Sequence, residues 1–269
     1  IIATGGQALV RQAYSSGKPA YGVGAGNATE FLDETADVKA TALNCMLSKT
    51  SDFGSGCSAD GNVLVPRKMY DEMLDALAEV GGYRASADER AALEKVMWDD
   101  EGHRLPDTVA ISPQQLAKAA GFEIPAEAKF VFVEGTGIGE EHNFCKEKLT
   151  TLMAVHAYDG TFEDGVDLAL ELYEVGGKGH SCGIASFDDD HIDYFGKTMP
   201  VSRIMVNQPN SRANAGAFNN GMPMTSSMGC GTWGGNIISE NVCLKHYMNT
   251  TWVSRKIPTD RPSDAELFG

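Results

Sequence analysis

One cysteine lies in a run of small residues that suits nucleophilic chemistry. Segment 51–61 reads SDFGSGCSADG, and Cys57 carries the only sulfur atom in it. Glycine lets a backbone approach a ligand closely and adopt positive φ, and a thiol on such a loop is reachable, whereas most free cysteines are inert core residues. The thiolate is the nucleophilic form of cysteine. The segment alone is therefore compatible with a reactive Cys57 or with a buried cysteine beside a tight turn.

Regular elements flank this loop and recur along the chain. Apolar residues at helical spacing predict a helix over 37–49, and the apolar run 62–65 predicts a strand. The same patterns predict further strands over 1–4, 130–133, 152–156 and 203–207, and further helices over 67–80, 113–120 and 162–173. Alternating strands and helices indicate an α/β fold. Segment 207–224 is rich in Asn, Gly, Pro and Ser, which predicts a long loop of the kind that often carries function.

The run around Cys57 resembles the nucleophile loop of the CoA-acylating aldehyde dehydrogenases. Further segments that match this family follow in the same order along the chain: ATGG at 3–6, AYSSGKPA at 13–20, GVGAGN at 22–27, EKL at 147–149, GGKGHS at 176–181, GCGTWGGN at 229–236 and SENV at 239–242. The resemblance covers essentially the whole chain. An ordered set of this kind is far more specific than any single short motif.

The resemblance implies an α/β fold, with an aldehyde-dehydrogenase-like catalytic domain and the end of a Rossmann-type nucleotide-binding domain. Residues 1–17 correspond to the last strand–helix element of the NAD-binding domain, 18–207 to the catalytic domain, and 208–269 to a substrate loop, a return segment and an oligomerisation tail. Roughly the first two-fifths of the usual catalytic unit has no counterpart, so we expect a fragment or a truncated gene product. A non-catalytic truncated subunit with an assembly role is the alternative.

For the chemistry, the resemblance implies that Cys57 attacks an aldehyde to give a thiohemiacetal and, after hydride transfer to NAD or NADP, a thioester. Hydrolytic members place a glutamate in the segment that here spans 22–27, and this sequence has no carboxylate there. Coenzyme A, rather than water, is therefore the expected acyl acceptor. The backbone N–H of Cys57 is one expected oxyanion donor, and the resemblance implies a second, a side-chain amide in the N-terminal part that has no counterpart here. Cys230 is expected to be buried.

Several further residues acquire roles from the resemblance. Gly5 and Gly6 end the first strand and precede a helix with Ala8, Leu9 and Ala13 on one side, and the resemblance places the cofactor pyrophosphate at that turn. Glu147 corresponds to the glutamate that binds the ribose beside nicotinamide; alone, it reads as a surface carboxylate. His180 is expected near the active site, either orienting the aldehyde or assisting deprotonation of the CoA thiol; alone, it reads as a hydrogen-bonded loop histidine.

Substrate choice is expected to come from the 207–224 loop. The FNNG run at 218–221 and the tail PSDAELFG at 262–269 look more like the sulfoacetaldehyde type of the family than the acetaldehyde type. Arg212 and Asn219 are the candidate ligands for a small anionic tail group. An exposed loop arginine with no such role is the alternative for Arg212.

Composition sets the remaining expectations. A formal charge of −15 argues against a nucleic-acid or anionic-membrane surface. No apolar run reaches the roughly 20 residues of a membrane span, and no secretion signal is recognisable. Six scattered cysteines indicate reduced thiols and a cytoplasmic protein. His142 and Cys145 have a spacing that a metal would tolerate, but no second pair completes a tetrahedral site, so we expect no metal. We expect a homo-oligomer, a dimer or a tetramer. A cysteine hydrolase is a distant alternative, because no Cys–His pair is fixed by the sequence.

Overall fold

The computed structural model describes residues 1–269 and contains two parallel sheets joined by helices. The strands are β1 Ile2–Thr4, β2 Tyr21–Val23, β3 Thr29–Leu32, β4 Asn62–Pro66, β5 Gly82–Arg84, β6 Phe130–Glu134, β7 Leu152–Tyr158, β8 Cys182–Ala185 and β9 Ile204–Val206. The helices are α1 Gln7–Ser15, α2 Val38–Lys49, α3 Tyr70–Glu79, α4 Ala87–Met97, α5 Pro113–Ala119, α6 Phe162–Gly176, α7 Asp189–Thr198, α8 Asn210–Asn214 and α9 Asp264–Phe268. The alternation of strands and helices predicted from the sequence is confirmed.

The larger sheet has seven parallel strands in the order β5-β6-β7-β4-β3-β8-β9. Parallel strands with helices on both faces are buried on both sides and read as continuous apolar runs. In β4, Val63 and Val65 join the core shared with α2 and α3, whereas Leu64 joins the core shared with α6 and α7. Successive side chains of a strand point to opposite faces, so this one strand anchors both halves of the core directly after the Cys57 loop.

The smaller sheet pairs β1 with β2 in parallel, with α1 as the crossover between them. Residues on both sides of the predicted domain boundary at 17 therefore share one β-α-β unit, and the domain division stays a prediction. Within α1 the buried residues are Val10 and Ala13, whereas Leu9 is 46% exposed. The predicted apolar face of α1 was thus wrong for Ala8 and Leu9, which are both exposed, and Val10 and Ala13 form the buried face.

Helix ends follow local chemistry. Asp37 caps α2 by accepting a hydrogen bond from the Ala40 N–H, and Ser112 begins α5 with a reciprocal capping box. The predicted helix over 67–80 begins as a 3₁₀ turn at Arg67–Met69 before α3 starts. None of the helices has the length and apolar sequence needed to cross a bilayer.

Candidate active site

The loop that carries Cys57 connects α2 to β4 and is held in an uncommon backbone conformation. Asp52 and Phe53 adopt left-handed φ values of 46° and 52°, which are costly for residues with side chains and cluster at functional sites. Gly54 has φ of 67°, and a Cβ placed on it would lie 2.4 Å from the Thr150 carbonyl oxygen. Only glycine fits at position 54, so the loop is pressed against the segment that follows Glu147.

Three separate segments meet at Gly26. A Cβ placed on Gly26 would lie 2.2 Å from the Cys57 carbonyl oxygen and 2.8 Å from Cγ of His180. The backbone N–H of Gly26 donates to Oε1 of Glu147 at 3.3 Å. The structure therefore brings together three residues that the sequence analysis nominated from distant motifs: Cys57, His180 and Glu147.

His180 is a buried, neutral imidazole with one free nitrogen. Its side chain is 1% exposed, and its Nδ1 lies 2.8 Å from Oγ of Ser181. Burial lowers the pKa of His180 to about 3, with the Arg203 guanidinium adding to the effect. Nε2 is buried and has no partner among the residues of the chain. A buried nitrogen without a partner is costly, so this atom is suited to receive a ligand.

Glu147 is not a simple surface carboxylate. It is partly buried and holds the Gly26 N–H. Burial raises the pKa of Glu147 to about 7, against the opposing effects of that hydrogen bond and of Lys49, Arg104 and Lys148. Its charge also acts on the Cys57 thiol. The structure places a carboxylate that titrates near neutrality beside the predicted nucleophile.

Cys57 is partly exposed, and its thiol is strongly disfavoured as a thiolate. Burial is the main cause that raises the pKa of Cys57 to about 12, and the nearby Glu147 and Cys230 raise it further, whereas the Arg203 guanidinium lowers it. The sequence analysis expected a reachable thiol. The loop does leave Cys57 partly exposed, but its surroundings disfavour the thiolate form. Cys230 is fully buried, as predicted, and its Sγ lies 3.7 Å from the Gly24 carbonyl oxygen.

A buried polar network behind the loop fixes its far end. Oδ1 of Asp60 accepts from Nδ2 of Asn210 at 2.6 Å, and the same amide reaches Oε2 of Glu30 at 3.3 Å. Burial raises the pKa of Asp60 to about 6, and burial lowers the pKa of the neighbouring Lys49 to about 8. The network ties the Cys57 loop to α8, which lies inside the segment predicted as an irregular loop.

The turn at Gly5 and Gly6 has the features of an anion site at a helix start. Gly6 is the N-cap of α1 and provides no side-chain cap, and a Cβ placed on it would meet nothing within 4 Å. No side chain caps the first turn of α1, in which the Leu9 N–H donates to the Gly6 carbonyl oxygen at 3.0 Å. Asn236 joins this region to the site, because its Oδ1 accepts from the N–H groups of Gly24 at 3.2 Å and Cys230 at 2.9 Å.

The structure does not bring the predicted substrate residues into this cluster. The side chain of Arg212 is exposed and makes no hydrogen bond or ion pair, and Asn219 is also exposed. In the same loop, Nδ2 of Asn220 donates to the Ala213 carbonyl oxygen at 2.9 Å, which is a structural contact. Roles for Arg212 and Asn219 in substrate binding stay predictions.

Three site features had no role in the sequence analysis: Arg203, Asp60 and Asn210. Asp60 belongs to the loop motif 51–61, and its position three residues after Cys57 was a usable signal. Arg203 stands immediately before an apolar strand and is 6% exposed. A charged residue at a strand start is ordinary in sequence, so only the fold shows that Arg203 is buried.

The arrangement of the parallel sheet with a cysteine loop before a central strand is that of an aldehyde dehydrogenase catalytic domain. An acetylating aldehyde dehydrogenase from Geobacillus thermoglucosidasius superposes with a TM-score of 0.88 at 34% identity, over 97% of this chain and 57% of that chain. A probable aldehyde dehydrogenase from Listeria monocytogenes gives 0.89 at 31% identity, over 99% and 58%. These similarities confirm the predicted fold class.

Sequence comparison shows which aldehyde dehydrogenases the chain is similar to. The chain is 42% identical over its full length to a sulfoacetaldehyde dehydrogenase from Acholeplasma, and 38% identical to an acylating sulfoacetaldehyde dehydrogenase from Cupriavidus necator. It is also 38% identical to an acetylating succinate-semialdehyde dehydrogenase from Clostridium kluyveri. No family model matches. Over its whole length the chain is similar to CoA-acylating aldehyde dehydrogenases, and it spans 55% to 59% of the length of these relatives.

Proposed function

We propose that the protein catalyses the reversible NAD(P)-dependent oxidation of a small aldehyde to an acyl-CoA, with Cys57 as the nucleophile. The observation that carries the proposal is the meeting of Cys57, His180 and Glu147 at Gly26. Three residues nominated by separate motifs of one family converge there. The acylating relatives named above support the choice of coenzyme A.

In the proposed reaction, the Cys57 sulfur bonds to the aldehyde carbon and the thiol proton passes to the aldehyde oxygen, which gives a thiohemiacetal. A bound NAD or NADP would supply the acceptor for the hydride of this carbon, and the hydroxyl proton leaves to solvent. The product on Cys57 is a thioester, since sulfur both attacks and leaves well. The thiol of coenzyme A then attacks the acyl carbon, and Cys57 is released. To His180, whose Nε2 has no partner in the chain, we assign either the binding of the aldehyde oxygen or the removal of the CoA thiol proton.

Water could accept the acyl group in place of coenzyme A if a carboxylate near the thioester activated it. Segment 22–27 holds no carboxylate, but Glu147 reaches the same segment from elsewhere and binds the Gly26 N–H. The absence of a carboxylate in the segment therefore does not by itself exclude hydrolysis. The proposal of coenzyme A rests on the acylating relatives, and product analysis separates the two acceptors.

The first-turn N–H groups of α1, next to Gly5 and Gly6, fit a cofactor pyrophosphate. The relatives named for sulfoacetaldehyde and succinate semialdehyde act on aldehydes with an anionic tail, and we extend that substrate class to this chain. Arg212 and Asn219 are the proposed tail ligands. The six free cysteines suit a reducing cytoplasm, and the exposed apolar side chains of Trp252 and Phe268 suit a homo-oligomer, a dimer or a tetramer.

The test is product analysis with aldehyde and cofactor, in the presence and absence of coenzyme A. We expect acyl-CoA with coenzyme A and only a single turnover without it. Cys57→Ser removes the reaction, whereas Cys243→Ser, a change of a second partly exposed cysteine, leaves it intact. Free acid released equally fast without coenzyme A would refute the acylating reaction and point to Glu147 as a base for water.

A further inference from the structure

Arg203 is a buried guanidinium without an acidic partner. The residue is 6% exposed and stands directly before β9. Its NH1 donates to the Ser239 carbonyl oxygen at 2.9 Å and its NH2 to the His180 carbonyl oxygen at 2.8 Å, while its Nε is buried with no partner. It forms no ion pair with any carboxylate of the chain. A buried charge is costly unless it is paired, so this residue lacks the anion that would justify its burial.

The position of Arg203 indicates which anion that is. Its hydrogen bond to His180 places it at the residue whose ring packs on Gly26, which in turn packs on the Cys57 carbonyl. Cys230 forms a further side of the same site, with its Sγ 3.8 Å from the Ala25 carbonyl oxygen. The Arg203 charge acts on both thiols and lowers the pKa of each.

The nearby carboxylates are engaged elsewhere. Glu147 holds the Gly26 N–H, and Asp60 is bonded to Asn210 and lies beside the ammonium of Lys49. Neither pairs with Arg203. The nearby groups that can become an anionic partner of Arg203 are therefore the thiols of Cys230 and Cys57, whose charges both act on it.

We propose that Arg203 supplies the positive charge that stabilises the Cys57 thiolate. The inference rests on the assignment of Cys57 as the nucleophile in the proposed function. Arg203 opposes the two features that disfavour ionisation of this thiol, its burial and the charge of Glu147. Its hydrogen bonds to two carbonyl oxygens leave Nε without a partner, so they do not account for the whole of this buried guanidinium.

Alkylation of Cys57 tests this without aldehyde or cofactor. Iodoacetamide is neutral and iodoacetate carries a negative charge, so the ratio of their rates reports the local potential, while the iodoacetamide rate reports the thiolate fraction. Both rates are followed on the Cys57 and Cys230 peptides by mass spectrometry in the parent, Arg203→Gln and Arg203→Lys. Arg90→Gln is the matched control, because Arg90 is also partly buried with an unpartnered Nε but bonds to Thr136.

We expect Arg203→Gln to slow iodoacetamide at Cys57 about tenfold and to slow iodoacetate more, since an opposite charge shifts such a pKa by about one unit or more. Arg203→Lys keeps the charge and should retain the parent ratio, as should the control. Equal slowing of both reagents by both Arg203 variants would show a structural role and overturn the proposal, as would an effect confined to Cys230.

If Arg203→Gln does not fold, the test uses Arg203→Lys alone. The proposal requires this variant to keep the parent ratio of the iodoacetate and iodoacetamide rates, and loss of that ratio in a folded Arg203→Lys protein overturns it. The result is independent of catalysis. A protein that alkylates as expected but forms no acyl-CoA would refute the proposed function and leave the role of Arg203 standing.

Discussion

Gly26→Ala is the most direct perturbation of the site, because it adds one methyl group at the point where three segments meet. That methyl carbon would lie 2.2 Å from the Cys57 carbonyl oxygen and 2.8 Å from Cγ of His180. Non-bonded heavy atoms rest at about 3.5 Å, so the Cys57 backbone has to retreat by about 1 Å. Overpacking of this kind costs about 1–3 kcal/mol of stability, and a misplacement of about 1 Å at a reacting centre costs about 100-fold in turnover.

The assay for Gly26→Ala is the rate of acyl-CoA formation at saturating aldehyde, cofactor and coenzyme A, with thermal unfolding measured in parallel. The matched control is Gly24→Ala, two residues away, where a Cβ would meet its nearest neighbour at 3.6 Å, an ordinary contact. We expect the control to keep the parent rate and the Gly26 variant to lose about 100-fold. Turnover of the Gly26 variant equal to that of its control would show that the close approach of Gly26, Cys57 and His180 does not govern catalysis.

Three further predictions concern the titratable residues Glu147, Asp60 and His180. Glu147→Gln keeps an acceptor for the Gly26 N–H but removes the charge that raises the pKa of Cys57, so iodoacetamide should alkylate Cys57 about tenfold faster at pH 8; an unchanged rate contradicts this coupling. Asp60 has its folded-state pKa raised to about 6, above the unfolded value, so its contribution to stability is greatest below pH 4 and is lost as the pH rises through 6. The unfolding free energy of the parent should therefore fall relative to Asp60→Asn by about 3 kcal/mol across that window, and parallel denaturation profiles would refute it. His180→Gln should slow steady-state turnover about a hundredfold. If His180 deprotonates the CoA thiol, the variant should keep the parent rate of a single turnover without coenzyme A. If His180 orients the aldehyde, that single-turnover rate should fall as well.

Local chemistry accounts for the parts of the fold that the sequence predicts well. The helix before the nucleophile loop and the strand after it were predicted to within a residue or so at each end, because α2 begins at a capping aspartate and β4 is a continuous apolar run. The missed helices α4 and α7 carry a capping box at Ser86 and an aspartate cap at Asp188. Those signals were present, but polar faces obscured the apolar period. Helix α8 has five residues, which is too short for any periodicity to show.

The residues of the candidate site also differ in how far the sequence predicts them. Cys57 was nominated from its own loop, because small residues around a thiol are visible in the sequence, and the family resemblance then favoured a reactive over a buried cysteine. His180 and Glu147 were found only through the family resemblance, since each alone reads as an ordinary polar residue. Their convergence on Gly26, the bond from Asp60 to Asn210 across 150 residues, and the burial of Arg203 all depend on tertiary packing. The sequence of a single segment does not predict which residues from other parts of the chain its side chains will contact.

The most direct test of the central claim is to trap the acyl group on the protein. The protein is incubated with aldehyde and NAD in the absence of coenzyme A, quenched in acid, digested and examined by mass spectrometry. We predict an acyl thioester on the peptide that contains Cys57, which disappears when coenzyme A is added before the quench. An acyl group on the Cys230 or Cys145 peptide instead, or an unmodified Cys57 during cofactor reduction, would contradict the assignment of Cys57 as the nucleophile.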